Sequence, residues 1–207
     1  MSGAPSANGF QWILCDLGGV VVHVDSARAV QELATLARCS VKDVIALLDT
    51  ELLAAFEEGR VTPQQFFEGL ARPLQLAMTY DAFVALWNNL FTENAETAAL
   101  LERLRPQCHL AALSNTNELH FNHLMASVPS MRLFHRYLPS FQLGMRKPQP
   151  QFYLTALERM GATPWGTVYI DDREDLVAAG RALGLKAIRF SDAKHLRTEL
   201  HALGFDV

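Results

Sequence analysis

The chain has 207 residues, of which 50% are hydrophobic and 19% are charged, so it can bury one large domain or a core with a small insert. Its formal net charge of −4, with no cluster of Lys and Arg, argues against nucleic-acid binding. No apolar run is long enough to span a membrane, and residues 1–9 contain no apolar core of a signal peptide.

The stretch 10–25, FQWILCDLGGVVVHVD, contains the first predicted element. Its apolar run Trp12–Cys15 is typical of a strand buried on both faces in a parallel sheet. Asp16 then lies at the carboxyl end of the strand, the edge where open α/β sheets bind ligands, and Gly18 and Gly19 let the backbone approach a ligand closely. A carboxylate there can be a nucleophile or bind a hard cation. The alternative at this point is a turn or helix-capping aspartate.

Residues 26–90 show helical spacing and no strand pattern, which predicts an all-helical insert after the first strand. Ser26 is a predicted N-cap, and Thr62-Pro63-Gln64-Gln65 predicts a capped helix start. The predicted helices are 26–38, 41–48, 51–58, a helix from 62 onward and 79–90. We therefore predict a core of residues 10–25 and 91–207, a helical cap of residues 26–90, and a disordered tail of residues 1–9.

From residue 94 onward, helical and strand patterns alternate. The predicted strands are 109–113, 137–141, 166–170 and 186–190, with helices at 95–104, 118–125, 152–160, 176–183 and 192–203. This alternation predicts right-handed crossovers and a parallel sheet. The fold class is therefore predicted as α/β, with a Rossmann-like parallel core and a small helical insert.

Polar residues cluster where the predicted strands end: Asp16, the run 114–117, Lys147 after a loop, and the pair Asp171 and Asp172. Singly, each is explained as a helix cap or a solvated side chain. A parallel sheet, however, gathers the carboxyl ends of its strands at one edge, so these groups should meet in one crevice. Carboxylates that close are costly unless a cation neutralises them, and Mg²⁺ suits a few carboxylates plus phosphate oxygens.

The segments CDLGGV, LSNTN, GMRKPQP and YIDDRED follow one another in the order of the four motifs of the haloacid dehalogenase superfamily, which the sequence resembles from Trp12 to Phe190. The insert resembles the small helical cap of that family. LSNTNELH and LGMRKP resemble more specifically the subgroup that includes the bacterial alpha-D-glucose-1-phosphate phosphatase and the phosphatase domain of soluble epoxide hydrolase.

The resemblance implies a Mg²⁺-dependent phosphatase with a phospho-aspartate intermediate and a small-molecule phosphate substrate, such as a sugar phosphate. Asp16 would be the nucleophile, and Lys147 would pair with it and with the phosphate. The implied metal ligands are Asp16, the Gly18 carbonyl, Asp172, and Asp171 directly or through water. The implied substrate-binding residues are Gly18, Gly19, Ser114, Asn115, Lys147, and, toward the leaving group, Asn117 and His120.

Gly18 departs from the family pattern, because family phosphatases usually carry a general acid, Asp, at this position. Losing a general acid typically lowers the rate by roughly 10²–10⁴. The sequence therefore predicts a substrate with a weakly basic leaving group, such as a sugar 1-phosphate, and His23 is a candidate surrogate acid. One alternative is a metal-independent hydrolase similar to a 2-haloacid dehalogenase, against which the pair Asp171 and Asp172 argues. Another is a catalytically weak phosphate-binding regulatory protein.

The three cysteines, Cys15, Cys39 and Cys108, are widely spaced and show no metal-ligand spacing. This pattern predicts buried, reduced thiols and a cytoplasmic location. We expect no nucleic-acid or membrane partner, and either a monomer or a homodimer. The aromatic residues of the insert, Trp87 among them, have the helical spacing of core residues rather than of a platform for a sugar ring.

Overall fold

The computed structural model describes residues 9–207. The predicted disorder of residues 1–8 lies outside the described residues. Within the described chain, a five-stranded sheet and a two-stranded ladder are connected by helices. The strands are β1 (Trp12–Cys15), β2 (Val22–Val24), β3 (Phe91–Glu93), β4 (His109–Ser114), β5 (Arg136–Pro139), β6 (Thr167–Asp171) and β7 (Lys186–Arg189).

The main sheet is parallel throughout and has the order β5-β4-β1-β6-β7, with β1 at its centre. Cys15 lies opposite Ala112 of β4 and Ile170 of β6, so these three strands end nearly level with one another. All four residues of β1 are buried, because helices cover both faces of the sheet. The predicted α/β class and the parallel core are confirmed.

The helices are α1 (Ser26–Ala37), α2 (Val41–Leu48), α3 (Glu51–Glu57), α4 (Pro63–Leu74), α5 (Tyr80–Asn88), α6 (Ala95–Leu104), α7 (Glu118–Ser127), α8 (Ser140–Leu143), α9 (Pro150–Met160), α10 (Glu174–Ala182) and α11 (Ala193–Ala202). Strand alternation divides β1 between two cores. Ile13 and Cys15 pack with α6, α7 and α11, whereas Trp12 and Leu14 pack with α9 and α10.

Helices α1–α5 form the insert and share an apolar core of their own. Phe66 lies at its centre, with its ring 4.3 Å from that of Phe56 and 5.1 Å from that of Trp87. The predicted start of α4 has the expected capping box, in which the Thr62 hydroxyl accepts from the Gln65 N–H and the Gln65 side chain accepts from the Thr62 N–H.

Two short strands connect the insert to the core, and the sequence does not reveal them. Val22–Val24 pairs antiparallel with Phe91–Glu93, so that His23 lies opposite Thr92. Each strand has only three residues, and the whole insert separates the two strands along the chain. No local sequence pattern therefore predicts that they pair. This ladder places both ends of the insert side by side at the edge of the crevice.

Several local predictions are wrong in detail. The N-cap of α1 is Asp25, whose carboxylate accepts a hydrogen bond from the Arg28 N–H, and not Ser26. The predicted strand 137–141 is β5 followed directly by α8, because the chain turns after Pro139 and buries Ser140. The three cysteines are free, but only Cys15 is fully buried. No helix among residues 9–207 is long and apolar enough to cross a membrane.

Candidate active site

Asp16 follows β1 at the centre of the sheet edge, where Lys147 and the end of β6 meet it. The Lys147 Nζ lies 2.9 Å from Asp16 Oδ1 and 2.7 Å from Asp171 Oδ2, and all three side chains are buried. Asp16 Oδ1 also accepts a hydrogen bond from the Leu17 N–H at 2.8 Å. Asp16 Oδ2 has no hydrogen-bond partner among residues 9–207, so one oxygen is held in place and the other is left free to react.

Asp171 is fixed by donors on both of its oxygens. The Tyr169 hydroxyl and the Lys147 Nζ donate to Oδ2, and the Arg173 N–H donates to Oδ1 at 3.0 Å. Tyr169 was not identified from the sequence. The period of two along β6 was an available signal, since it places residues 169 and 171 on the same face of the strand.

Asp172 completes a group of three carboxylates, in which one oxygen each from Asp16, Asp171 and Asp172 lie within 4.8 Å of one another. Gly19 faces this group with a left-handed φ of +76°, and a Cβ on it would lie 2.3 Å from Asp172 Oδ2. The absence of a side chain at Gly19 is therefore what allows Asp172 its position. Three clustered carboxylate oxygens suit a hard cation such as Mg²⁺.

The electrostatics of the group agree with a cation site. Burial raises the pKa of Asp16, and repulsion from Asp171 adds to this, although Lys147 opposes it. Burial and the charge of Asp171 also raise the pKa of Asp172. For Lys147, burial alone would lower the pKa, but attraction to Asp16 and Asp171 outweighs it and raises the pKa. A cation would relieve the repulsion between the carboxylates.

Two residues at the end of β4 differ in their hydrogen bonds: the hydroxyl of one is free, and the amide of the other connects two loops. The Ser114 hydroxyl faces the crevice and has no hydrogen-bond partner within residues 9–207. The Asn115 amide accepts from the Lys147 N–H at 2.8 Å and donates to the Lys147 carbonyl at 2.9 Å. The predicted contact of the Asn115 side chain with a phosphoryl group therefore competes with its use in positioning Lys147.

His120, predicted to point toward the leaving group, lines the cavity but has both ring nitrogens occupied. Nδ1 accepts from the Asn117 amide at 3.0 Å, and Nε2 donates to the Trp87 carbonyl at 2.9 Å. Its ring stacks on the Trp87 ring at 5.2 Å. Burial lowers the pKa of His120 to about 4, so the ring is neutral at pH 7. Asn117 is itself the N-cap of α7 and binds the His120 N–H.

His23, the candidate surrogate acid, is exposed and lines a shallow surface depression with Gly19, Asn94 and Phe190. It is not among the residues that line the cavity beside Ser114. Gly18 does line that cavity, and a Cβ on it would lie 3.3 Å from the Val24 side chain. His23 and Ser114 therefore line different depressions of the surface.

A cavity of about 250 Å³ extends from the carboxyl end of the sheet into the insert. Gly18, Ser114, Asn115 and Thr116 line the end near Asp16. The remaining lining is mostly apolar and comes from both the core and the insert: Leu17, Val30, Leu48, Leu53, Trp87 and Leu124.

Two contacts connect the insert to the core beside this cavity. Arg146 Nη1 lies 2.7 Å from Glu57 Oε2, which joins the residue before Lys147 to the end of α3. The bond from His120 to the Trp87 carbonyl joins α7 to α5. Glu57 is the carboxyl group in the lining of the cavity, and burial raises its pKa although Arg146 opposes this.

The buried carboxylate of Asp16, its partner Lys147 and two further carboxylates lie at the carboxyl edge of the parallel sheet. The fold and this site together define an α/β protein whose candidate active site is a group of carboxylates around a buried lysine. The model of the haloacid dehalogenase-like hydrolase family matches residues 10–184, and the chain belongs to this family.

Curated relatives cover nearly the whole chain at low identity. D-ribitol-5-phosphate phosphatase of Bacteroides thetaiotaomicron is 25% identical over 199 residues, which span 91% of this chain and 95% of that protein. A sesquiterpene phosphatase of Aspergillus oryzae is 24% identical over 196 residues, which span 94% and 96% of the two chains. A solved structure of a haloacid dehalogenase family enzyme from Bacteroides thetaiotaomicron, in complex with magnesium and inorganic phosphate, has a TM-score of 0.81 and 24% identity, and covers 90% of this chain and 98% of its own.

Proposed function

We propose that the chain is a Mg²⁺-dependent phosphatase that hydrolyses a small phosphomonoester through a phospho-aspartate on Asp16. The observation that carries the proposal is the asymmetry of the Asp16 carboxylate. Oδ1 is held by Lys147 and the Leu17 N–H, whereas Oδ2 has no hydrogen-bond partner in the described chain. Leu17 and Gly18, the two residues that follow Asp16, line the cavity. Relatives with phosphatase names and the complex of a similar protein with magnesium and phosphate support the same chemistry.

The residues of the chain then have these roles in the reaction. Asp16 Oδ2 attacks phosphorus, and its new bond to phosphorus forms as the ester P–O bond breaks and the leaving group departs as an alkoxide that takes a proton from water. Water next attacks phosphorus in the phospho-aspartate, the bond between phosphorus and Oδ2 breaks, and the proton that this water loses passes to solvent, which releases inorganic phosphate and restores the carboxylate. Lys147 offsets negative charge on Asp16 and on the phosphoryl group, and the Ser114 hydroxyl donates to a phosphoryl oxygen.

Mg²⁺, when bound, neutralises and orients the phosphoryl oxygens. The proposed ligands are Asp16, the Gly18 carbonyl and Asp172. Both oxygens of Asp171 already accept hydrogen bonds from the protein, which favours a contact of Asp171 with the ion through water. This set of oxygen donors matches what Mg²⁺ requires.

We further propose that the insert, residues 26–90, acts as a cap that excludes water from the phospho-enzyme. The contacts of Glu57 with Arg146 and of the Trp87 carbonyl with His120 support this role, since they hold the insert against the loops of the site. The β2–β3 ladder, where the chain leaves and rejoins the core, provides the hinge.

A sugar 1-phosphate remains a candidate substrate because of Gly18. Without a carboxyl group at this position, the leaving group departs with little protonation, which favours less basic leaving oxygens. The anomeric oxygen of a sugar 1-phosphate is less basic than an ordinary sugar hydroxyl. The names of the relatives span a sugar-alcohol phosphate and a terpene phosphate, so they do not choose between polar and apolar substrates.

The test is phosphate release from p-nitrophenyl phosphate by the full chain, with Mg²⁺ or with EDTA. The Asp16→Asn variant should lose about 10⁴-fold or more in turnover, because an amide cannot form the acyl-phosphate. Asp49→Asn, which makes the same change at an exposed position outside the site, is the matched control and should retain full activity.

Four results would contradict the proposal. Full activity of Asp16→Asn, or a failure to trap phosphate on Asp16 by acid quench and peptide mass spectrometry, would exclude the covalent mechanism. Turnover of a 2-haloacid without metal would favour the dehalogenase alternative, and no turnover of any ester would favour the phosphate-binding regulatory protein.

A further inference from the structure

The part of the cavity that lies beyond Ser114 is lined mostly by apolar side chains. Val30 of α1, Leu48 of α2, Leu53 of α3 and Trp87 of α5 form the wall from the insert. Leu17 and Leu124 add apolar surface from the core. If Asp16 and Ser114 hold the phosphoryl group, this wall is what the organic part of the ester must contact.

Four of the polar side chains in the same lining are already bonded within the protein, whereas the Ser26 and Thr116 hydroxyls and the Trp87 indole N–H have no partner within residues 9–207. Both ends of the Asn115 amide bind the backbone of Lys147, and both ring nitrogens of His120 are occupied. Asn117 binds the His120 N–H and ring, and Glu57 is paired with Arg146. Each hydroxyl of a sugar placed here would give up its bonds to water for few partners, and each such unpaired group lowers affinity on the order of tenfold.

We propose that the cavity binds the hydrocarbon group of the substrate, and that the substrate is the monophosphate of an apolar alcohol or phenol rather than of a sugar. This inference rests on the proposed phosphatase function. The volume of the cavity limits the number of carbon atoms in the hydrocarbon group. A cavity of roughly 150 Å³ holds a benzene molecule, so about 250 Å³ accommodates a branched, cyclic or aryl group on the order of six to ten carbon atoms.

The first test uses the wild-type chain and the n-alkyl monophosphates from methyl to octyl. From propyl upward these alcohols differ little in basicity, so the series separates burial of the hydrocarbon chain from leaving-group chemistry. Each methylene that enters the cavity should raise kcat/KM by about two- to fourfold until the cavity is full. Glucose 6-phosphate and ribitol 5-phosphate, which are also esters of primary alcohols, should react more slowly than hexyl phosphate.

The second test changes the wall without a large change in volume. Leu53→Asn places an amide in the lining and should lower the ratio of kcat/KM for octyl phosphate to that for methyl phosphate by at least about tenfold. Leu36→Asn makes the same change at an exposed position of α1 and should leave the ratio as in the wild type. Thermal unfolding of both variants establishes that they are folded.

The outcomes separate this inference from the function on which it rests. A flat alkyl series, or sugar phosphates that outperform hexyl phosphate while methyl phosphate is still hydrolysed, would overturn the apolar substrate and leave the phosphatase intact. No phosphate release from any ester in the panel, p-nitrophenyl phosphate included, would overturn both.

Discussion

Gly19→Ala should weaken Mg²⁺ binding far more than it weakens the fold. The residue has a φ of +76°, and a methyl group there would lie 2.3 Å from Asp172 Oδ2. The clash is with the end of a side chain, so Asp172 can rotate away and the fold can survive. Rotation, however, removes its oxygen from the group that it forms with Asp16 and Asp171.

The chain offers a control that isolates the clash from backbone strain. Gly161 also has a left-handed φ, of +64°, but a Cβ on it would have nothing within 4 Å. An alanine in this region of backbone space costs about 1–2 kcal/mol, which corresponds to a fall in Tm of about 2–8 °C for a chain of this size. Gly161→Ala and Gly19→Ala should therefore lose similar stability when metal is absent.

Their dependence on Mg²⁺ should differ. Displacing a residue that positions a metal site typically lowers metal affinity about 10- to 100-fold, and we expect this for Gly19→Ala alone. The assays are the Mg²⁺ concentration for half-maximal turnover and the rise of Tm with added Mg²⁺. Equal Mg²⁺ requirements in the two alanine variants would refute the assignment of Asp172 as a ligand positioned by contact with Gly19.

Three further predictions concern the carboxylate group and the contact with the insert. Asp172→Ala should abolish activation by Mg²⁺. The Tm without metal should be unchanged or slightly higher, because the variant lacks one of three clustered negative charges. Activity that is insensitive both to EDTA and to this substitution would contradict the metal site. Tyr169→Phe removes a donor to Asp171 and should lower kcat by about tenfold in steady-state assays, and an unchanged kcat would show that Lys147 alone suffices. The pKa of His120 falls from 6.5 to about 4 on folding, so between these pH values the unfolded chain binds a proton that the folded chain does not. The free energy of unfolding should therefore fall as pH falls, by about 2 kcal/mol at pH 5 relative to pH 7. Urea unfolding of His120→Gln should show a smaller decrease in this free energy between the same two pH values.

The grouping of the carboxylates with Lys147 was predictable because it follows from topology. The apolar run of β1 ends at Asp16, and the alternation after residue 94 predicts a parallel sheet, whose strand ends must meet at one edge. The structure accordingly brings Asp16, Lys147, Asp171 and Asp172 together. The finer resemblance, to a phosphatase that acts on a sugar 1-phosphate, does not follow from the topology of the sheet, and it stays a prediction.

Contacts between loops that are distant in sequence were not predictable. Asn115 binds the backbone of Lys147 across 32 positions, and Arg146 binds Glu57 across 89. No periodicity connects such pairs, because each is decided by how two loops meet after the sheet has formed. The role of Asn115 as a ligand of the phosphoryl group stays a prediction, and the sequence does not reveal that its amide also binds the backbone of Lys147.

Trp87 shows why the apolar end of the cavity was also missed. Its ring stacks on Phe83 at 5.7 Å inside the insert, as the helical spacing predicts, and it stacks on His120 at 5.2 Å on the core side. The same side chain lines the cavity. A residue can therefore satisfy the periodicity of a helix core and still line a cavity, because the core of the insert borders that cavity. Apolar spacing alone cannot separate these roles, and substrate selectivity has to be inferred from the lining that the folded chain assembles.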